Sequence, residues 1–105
     1  MQLSGKKLGI LLSTSPDNAK FLHGLRLAEA AMKRGILVYL YCIDEAVYGV
    51  GNPALQAMKS KGLNLFACAY AARERGFPIS DLAAFSGLTV VSDIISSTDR
   101  FVSFN

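Results

Sequence analysis

The chain has 105 residues, of which 51% are hydrophobic and 18% charged, and its net charge at pH 7 is +3. This composition fits one domain with a sizeable core and excludes a disordered chain, which would have fewer apolar and more charged residues. The basic residues are scattered, so no nucleic-acid interface is expected.

The same sequence gives expectations about location and bound groups. No apolar run reaches the roughly 18 residues of a membrane span, and the amino terminus lacks the apolar core of a signal peptide, so no membrane contact and a cytoplasmic location are expected. Two cysteines and one histidine make neither a disulfide framework nor a metal site. We therefore expect reduced thiols, no metal and no cofactor.

Strands and helices alternate along the first two thirds of the chain. Apolar runs without alternation predict buried strands at 8–12, 36–43 and 64–67. Stripes of apolar residues with cap signals predict a long helix from Asp17 to Gly35 and a second from Asn52 to Gly62. A short helix is predicted at 69–75, where Gly76 and Pro78 follow as stop signals.

The last third is less regular. Ser80 and Asp81 predict the cap of a short helical piece through residue 85, and the run 88–91 predicts a fourth strand. Ser92 and Asp93 predict the cap of a helix at 94–98, and residues 100–104 predict a last strand. Alternating strands and helices predict an α/β fold, a three-layer α/β/α sandwich with a mainly parallel sheet of about five strands in a single domain spanning 1–105.

The connection at 44–51 is unusually apolar. Connections of this composition often cover a site or dock a partner. Its Gly49-Val50-Gly51 segment follows no strand directly, which argues against a dinucleotide site. Together with the apolar residues of 101–104, the connection predicts that the protein is not a monomer.

Several chemistry-bearing residues fall at predicted strand ends. Ligands of parallel sheets bind beyond the carboxyl ends of the strands. The loop at 13–18 favours a helix cap over a phosphate cradle, because Pro16 lacks an N–H and Asp17 is negative. His23 falls on the polar face of its helix, which argues against a catalytic role. The candidates at the strand ends are Ser13, Cys42, Cys68 and Ser92, with Ser15 in the first loop.

Cys68 is the strongest candidate because it lies between a strand and a helix. The positive end of the helix dipole favours the thiolate, the reactive form of a thiol. The alternative is that Cys68 packs as a small hydrophobe. Cys42 is either a second relay thiol or core packing, and packing is favoured.

Nearly the whole chain resembles the DsrE/TusD-like sulfur-relay proteins, the DsrE/DsrF-like family. The segment Leu65-Phe66-Ala67-Cys68-Ala69-Tyr70-Ala71-Ala72-Arg73-Glu74-Arg75-Gly76 carries most of the resemblance. It implies that Cys68 is a persulfide carrier and that the protein forms a homo-oligomer, commonly a trimer or a hexamer. It also implies proteins that donate and accept the sulfur. Arg73 and Arg75 lie one to two turns along the helix after Cys68, where we expect them to help a donor or partner dock, and Tyr70 is a further candidate for binding a substrate or partner.

The leading hypothesis is therefore an intracellular sulfur carrier, or sulfurtransferase-like protein, that accepts sulfane sulfur on Cys68 and passes it to a partner protein. The alternative is a non-catalytic oligomeric α/β module that binds a small anion or a protein partner at the same edge of the sheet.

Overall fold

One parallel sheet organises the molecule. The computed structural model describes residues 3–105. These residues form five strands, four α-helices and one 3-10 helix, namely β1 (Lys7–Leu12), α1 (Ala19–Lys33), β2 (Leu37–Cys42), the 3-10 helix (Asp44–Gly49), α2 (Pro53–Ser60), β3 (Asn64–Cys68), α3 (Ala69–Glu74), β4 (Ala84–Ser86), α4 (Thr89–Ser97) and β5 (Arg100–Phe104).

The strands lie in the order β4-β3-β2-β1-β5, and every neighbouring pair is parallel. All five carboxyl ends therefore meet at one edge of the sheet, which we call the carboxyl edge. In the register, Leu12 lies opposite Cys42, and Cys68 lies opposite Ser86. The predicted α/β fold with a parallel sheet of five strands is confirmed.

Helices cover the two faces of the sheet unequally. On one face, α1 approaches the sheet so closely that a Cβ at Gly24 would meet the side chains of Leu12 and Phe104, and α2 packs beside α1. On the other face, α4 lies over β1 and β5, where a Cβ at Gly9 would come within 2.7 Å of Ile94 and Phe101. This second face carries Tyr41 and Phe66, and we call it the α4 face.

The predictions for the last third of the chain are partly wrong. Residues 84–86 form the edge strand β4 instead of ending a helical piece, and residues 88–91 enter α4 instead of forming a strand. The side of β3 that faces away from β2 offers free backbone groups to any short segment that reaches it, and this pairing overrides local propensity. The predicted last strand at 100–104 is confirmed as β5.

The apolar connection after β2 is buried in the single chain. Asp44 has a φ of +53°, a left-handed conformation that turns the chain back into the core. Ala46, Val47 and Val50 are each 0% exposed, and Tyr48 is exposed. Ala46, Val47 and Val50 therefore supply no exposed apolar surface, whereas Tyr48 does. Within residues 3–105, the model contains no helix with the length and apolarity that a bilayer crossing needs.

Candidate functional site

Cys68 ends β3 and caps the amino terminus of α3. Its backbone is extended, with φ −74° and ψ 116°, and its Sγ accepts a hydrogen bond from the backbone N–H of Ala71 at 3.4 Å. This contact gives the sulfur a fixed hydrogen-bond donor. Cys68 is also only 3% exposed, so its thiol is buried in the single chain.

Tyr41 lies beside Cys68 and was not among the residues singled out from the sequence. Its ring stacks on Phe66 with 6.4 Å between centroids. Its hydroxyl lies 3.1 Å from each of two carbonyl oxygens, those of Ser86 and Gly87, and shares its proton between them. Burial raises the pKa of Tyr41, a contact from the Ser86 side chain lowers it in part, and the Cys68 thiol raises it further.

The register between β2 and β3, had it been known, would have identified Tyr41 as a residue on the same face as Cys68. Tyr41 lies opposite Phe66, and Cys68 follows Phe66 by two residues, so the side chains of all three point to the α4 face. The Oγ of Ser86, opposite Cys68 on the other neighbouring strand, is buried and makes no well-formed hydrogen bond within residues 3–105. The side chains of Tyr41 and Ser86 thus lie on the same face of the sheet as the Cys68 sulfur.

Cys42 belongs to the opposite face. It lies opposite Ala67, one residue out of phase with Cys68, and it is 0% exposed. Burial raises the pKa of this thiol to about 12. A thiol that keeps its proton and has no exposed surface does not bind a partner, so its position fits core packing and not a relay role.

The serines of the first loop lie away from Cys68. Ser13 follows β1, two strands from β3, and its Oγ donates to the Oδ1 of Asn105 at 3.0 Å. Ser15 donates to the carboxylate of Asp17. Asn18 caps α1 by accepting the N–H of Lys20 at 2.8 Å. Ser15, Asp17 and Asn18 are therefore satisfied near the start of α1, whereas the buried Oγ1 of Thr14 has no hydrogen-bond partner within residues 3–105.

Three further candidates lie on helices. Tyr70 is 67% exposed and Arg73 is exposed, so both are free to contact another molecule beside Cys68. Ser92 was predicted at a strand end, and this is wrong, because it is an exposed residue within α4. Arg75, next to Arg73, forms an ion pair with Glu45 at 2.8 Å that joins α3 to the 3-10 helix.

An apolar groove of about 500 Å³ opens on the α4 face. Its residues come from the ends of β1 and β2 and from one side of α4, and they are Leu11, Ile43, Leu88, Val91, Ser92, Ile95 and Ser96. No group of three or more His, Cys, Asp or Glu side chains within residues 3–105 is placed to hold a metal ion.

Comparisons with known proteins agree with this architecture. The family model described as DsrE/DsrF-like matches residues 6–104. The fold is similar to the crystal structure of the ychN protein from E. coli, with a TM-score of 0.82 and 19% identity, covering 94% of this chain and 99% of that chain. At this identity the likeness shows the fold alone. None of the curated proteins searched matches the chain. Because the family model spans nearly every residue, the chain belongs to the DsrE/DsrF-like family, which is generally implicated in sulfur relay.

Proposed function

We propose that this protein is a sulfur carrier that holds sulfane sulfur as a persulfide on Cys68 and passes it to a thiol of a partner protein. The observation that carries the proposal is the position of Cys68, whose Sγ ends a parallel strand and accepts the Ala71 N–H at 3.4 Å. The thiolate is the nucleophile in thiol chemistry, and a backbone N–H is a donor that a sulfur anion can accept. Membership of a sulfur-relay family supports the same chemistry.

The transfer needs two exchange steps and no external oxidant. In the first, the Cys68 thiolate attacks the outer sulfur of a donor persulfide, the donor S–S bond breaks, and the donor leaves as a thiolate. In the second, an acceptor thiolate attacks the outer sulfur of the Cys68 persulfide, and Cys68 is released as a thiolate. Each step forms one S–S bond and breaks one, so the electrons balance.

The residues around Cys68 have matching roles. The Ala71 N–H stabilises the sulfur anion before attack and after release. Tyr70 and Arg73 are exposed on the first turns of α3, where an aromatic ring and a cation offer contacts to a donor or acceptor protein. These contacts would hold the two sulfur atoms in line for exchange.

The burial of Cys68 favours a second candidate function. A thiol that is 3% exposed also fits a small apolar residue in a core. In that case the protein is a non-catalytic module that binds a partner or a small anion at the carboxyl edge. The carrier function requires instead that the buried Cys68 thiol becomes accessible to the donor and to the acceptor.

Intact mass separates the two candidates. Wild-type protein, Cys68→Ser and Cys42→Ala are incubated with inorganic polysulfide and weighed before and after reduction. We expect one reducible sulfur atom on the wild type and on Cys42→Ala, and none on Cys68→Ser. Serine is a matched replacement because its Oγ can accept the Ala71 N–H and keep α3 capped. A wild type that gains no sulfur, or a Cys68→Ser that gains as much as the wild type, supports the binding module.

A further inference from the structure

We propose that a cavity at the amino edge of the sheet is a binding site for a small amphiphilic anion, namely an apolar chain that ends in a carboxylate. The amino edge is the edge at which β1, β2 and β5 begin, opposite the carboxyl edge where Cys68 lies. The inference goes beyond the proposed function, because it concerns another part of the molecule and another ligand. We call this space the amino-edge cavity, and its walls are Leu3, Lys6, Lys7, Leu8, Ile36, Asp99 and Arg100.

The size and the apolar walls of the cavity suit a small organic ligand. Its volume is about 480 Å³, within the range of roughly 300–1,000 Å³ that small-molecule sites have. The apolar walls come from Leu3, Leu8 and Ile36, which are only partly buried by the chain itself. A ligand with an apolar chain would remove the rest of this surface from water, which favours binding.

Backbone hydrogen bonds hold the walls in place. The N–H of Lys7 donates to the Oδ2 of Asp99 at 2.8 Å, and the N–H of Asp99 donates to the carbonyl of Lys7 at 2.9 Å. The N–H of Leu37 donates to the carbonyl of Lys6 at 2.8 Å, and the N–H of Lys6 donates to the carbonyl of Leu3 at 3.1 Å. These bonds join the starts of β1, β2 and β5 to the turn before β1. The cavity is therefore preformed, and a ligand does not have to order it on binding.

The charged walls of the cavity favour an anion. They are three cations and one carboxylate, from Lys6, Lys7, Arg100 and Asp99. The carboxylate of Asp99 already accepts the backbone N–H of Lys7. None of the three cations forms an ion pair with a carboxylate in the part of the chain that the structure describes, residues 3–105. The opening therefore carries a net positive charge that an anionic group complements.

The head group of the ligand is inferred from the arginine. The guanidinium of Arg100 donates one N–H to the carbonyl of Asp99 at 2.9 Å, and an arginine has five N–H donors in a planar fork. The free part of this fork matches the two oxygens of a carboxylate, and a lysine ammonium adds a point charge beside it.

The register joins the charged wall to the apolar wall. Arg100 lies directly opposite Leu8 on the neighbouring strand, so the two side chains point to the same face of the sheet. A carboxylate bonded to an apolar chain can therefore contact the guanidinium with its head and Leu8 with its chain at the same time. A bare anion would leave the apolar wall exposed, and a neutral chain would leave the cations without a partner.

Titration with sodium decanoate below its micelle concentration tests the inference. The full chain is labelled with ¹⁵N, and its amide chemical shifts are followed as the ligand is added. We expect saturable shifts at the amides of Lys7, Ile36 and Arg100. Decanol keeps the chain without the charge, and acetate keeps the charge without the chain. Each should bind at least about tenfold more weakly than decanoate, because each loses one of the two contributions.

A pair of double variants tests the role of the cations. Lys7→Gln/Arg100→Gln removes two of them and leaves the backbone hydrogen bonds of both residues in place. We expect its Kd for decanoate to rise about tenfold, since each partly exposed charged contact contributes modestly and two together amount to about one decade. Lys33→Gln/Arg34→Gln is the matched control, because it removes the same charge from exposed residues at the end of α1 that do not line the cavity. Its Kd should stay within about twofold of the wild type.

Three results would overturn the inference. The first is a wild type without saturable shifts in decanoate. The second is a set of shifts at Val91 and Ile95 of the α4 groove in place of the amino-edge cavity, which would mean that the chain binds to other apolar surface. The third is an equal loss of affinity in the two double variants, which would mean that net charge attracts the ligand without a defined site. The ligand series on the wild type decides the matter if a variant fails to fold.

These results are independent of sulfur transfer. Cys68→Ser should bind decanoate as the wild type does, because Cys68 lies at the other edge of the sheet. A protein that gains sulfur from polysulfide and does not bind decanoate keeps the proposed function and loses the anion site. A protein that binds decanoate in the amino-edge cavity and gains no sulfur keeps the anion site and loses the proposed function.

Discussion

The two cysteines show how one step of strand register places two thiols at neighbouring strand ends on opposite faces of the sheet. Cys42 ends β2 and Cys68 ends β3, yet their side chains point to opposite faces of the sheet. Cys42 enters the face covered by α1 and has no polar neighbour that shifts its pKa. The Cys68 side chain points to the α4 face, where its sulfur accepts the Ala71 N–H and where the side chains of Tyr41 and Ser86 also lie.

The buried thiol of Cys42 makes stability depend on pH. Its pKa rises from 9.0 to about 12 on folding, so above pH 9.0 the unfolded chain binds fewer protons than the folded chain. The free energy of unfolding is therefore unaffected by this group below pH 9.0 and decreases as the pH rises toward 12. At pH 10 the expected loss is about 1 kcal/mol.

Urea unfolding of wild type and Cys42→Ala at pH 7.5 and pH 10 measures this loss. The difference in unfolding free energy between the two proteins should change by about 1 kcal/mol in favour of the alanine variant at the higher pH. All other groups, Cys68 included, titrate in both proteins and cancel. A difference that stays constant between the two pH values would show that Cys42 ionises as readily in the folded chain as in the unfolded chain.

At the scale of elements, long periodic segments were predictable and short ones were not. The sequence predicted α1 from its apolar stripe and its capping loop, and it predicted α2 from Asn52 followed by Pro53. It could not predict β4, because three residues carry no periodicity and their pairing with β3 depends on a distant segment. The β-branched pair Val90-Val91 favoured a strand, yet both residues lie in α4, where they pack against the sheet.

The candidate site was predictable in its central residue only. Cys68 was identified because the boundary between an apolar strand and an Ala-rich helix is visible along the chain. Tyr41 was missed because its relation to Cys68 depends on the register of β2 against β3, which local sequence does not define. Ser92 was misplaced for the same reason as β4, since the prediction of a fourth strand at 88–91 put it at a strand end.

The 3-10 helix gives a prediction about packing. Gly49 lies against the ring of Phe21 and against Pro16, so an added Cβ would come within 2.7 Å of the Phe21 Cε2 and 3.0 Å of the Pro16 Cγ. Phe21 is 1% exposed and cannot move aside without disturbing the core. We expect Gly49→Ala to lower the free energy of unfolding by about 1–3 kcal/mol.

Gly51→Ala is the matched control for this prediction. A Cβ at Gly51 meets only the Leu82 Cδ1, at 3.5 Å, which is an ordinary contact. Chemical denaturation of both variants beside the wild type measures the two effects, and Gly51→Ala should stay within about 0.5 kcal/mol of the wild type. Equal stability of the two variants would mean that the 3-10 helix is not packed on α1 as the structure has it.

The whole molecule leaves one apolar region exposed beside the candidate site. Because Ala46, Val47 and Val50 are buried, Tyr48 is the large side chain that this connection leaves exposed for an assembly. Exposed apolar surface also lies on α4, where Leu88 is 56% and Ile95 is 52% exposed, along the groove that Leu11 and Ile43 continue. The α4 face thus offers apolar surface that a second copy of the chain could bury.

A simple area estimate shows that such a contact can hold an assembly together. A standard interface covers about 800 Å² on each partner, and just over half of it is apolar. At ~25 cal/mol per Å², this burial favours assembly by ~10 kcal/mol per subunit before association entropy is subtracted. The groove includes Leu88, which follows Ser86, the cross-strand partner of Cys68, by two residues, so a neighbouring subunit on the α4 face would lie next to the candidate site.

Light scattering during size-exclusion chromatography tests the prediction at micromolar concentration. We expect the wild type to elute as a trimer or hexamer and Ile95→Glu to shift toward the monomer, because a buried unpaired carboxylate opposes the contact. Leu22→Glu is the matched control, since Leu22 is 46% exposed on α1, away from the α4 face, and it should keep the wild-type mass. A monomeric wild type refutes assembly, and an Ile95→Glu variant with the wild-type mass places the interface on another face.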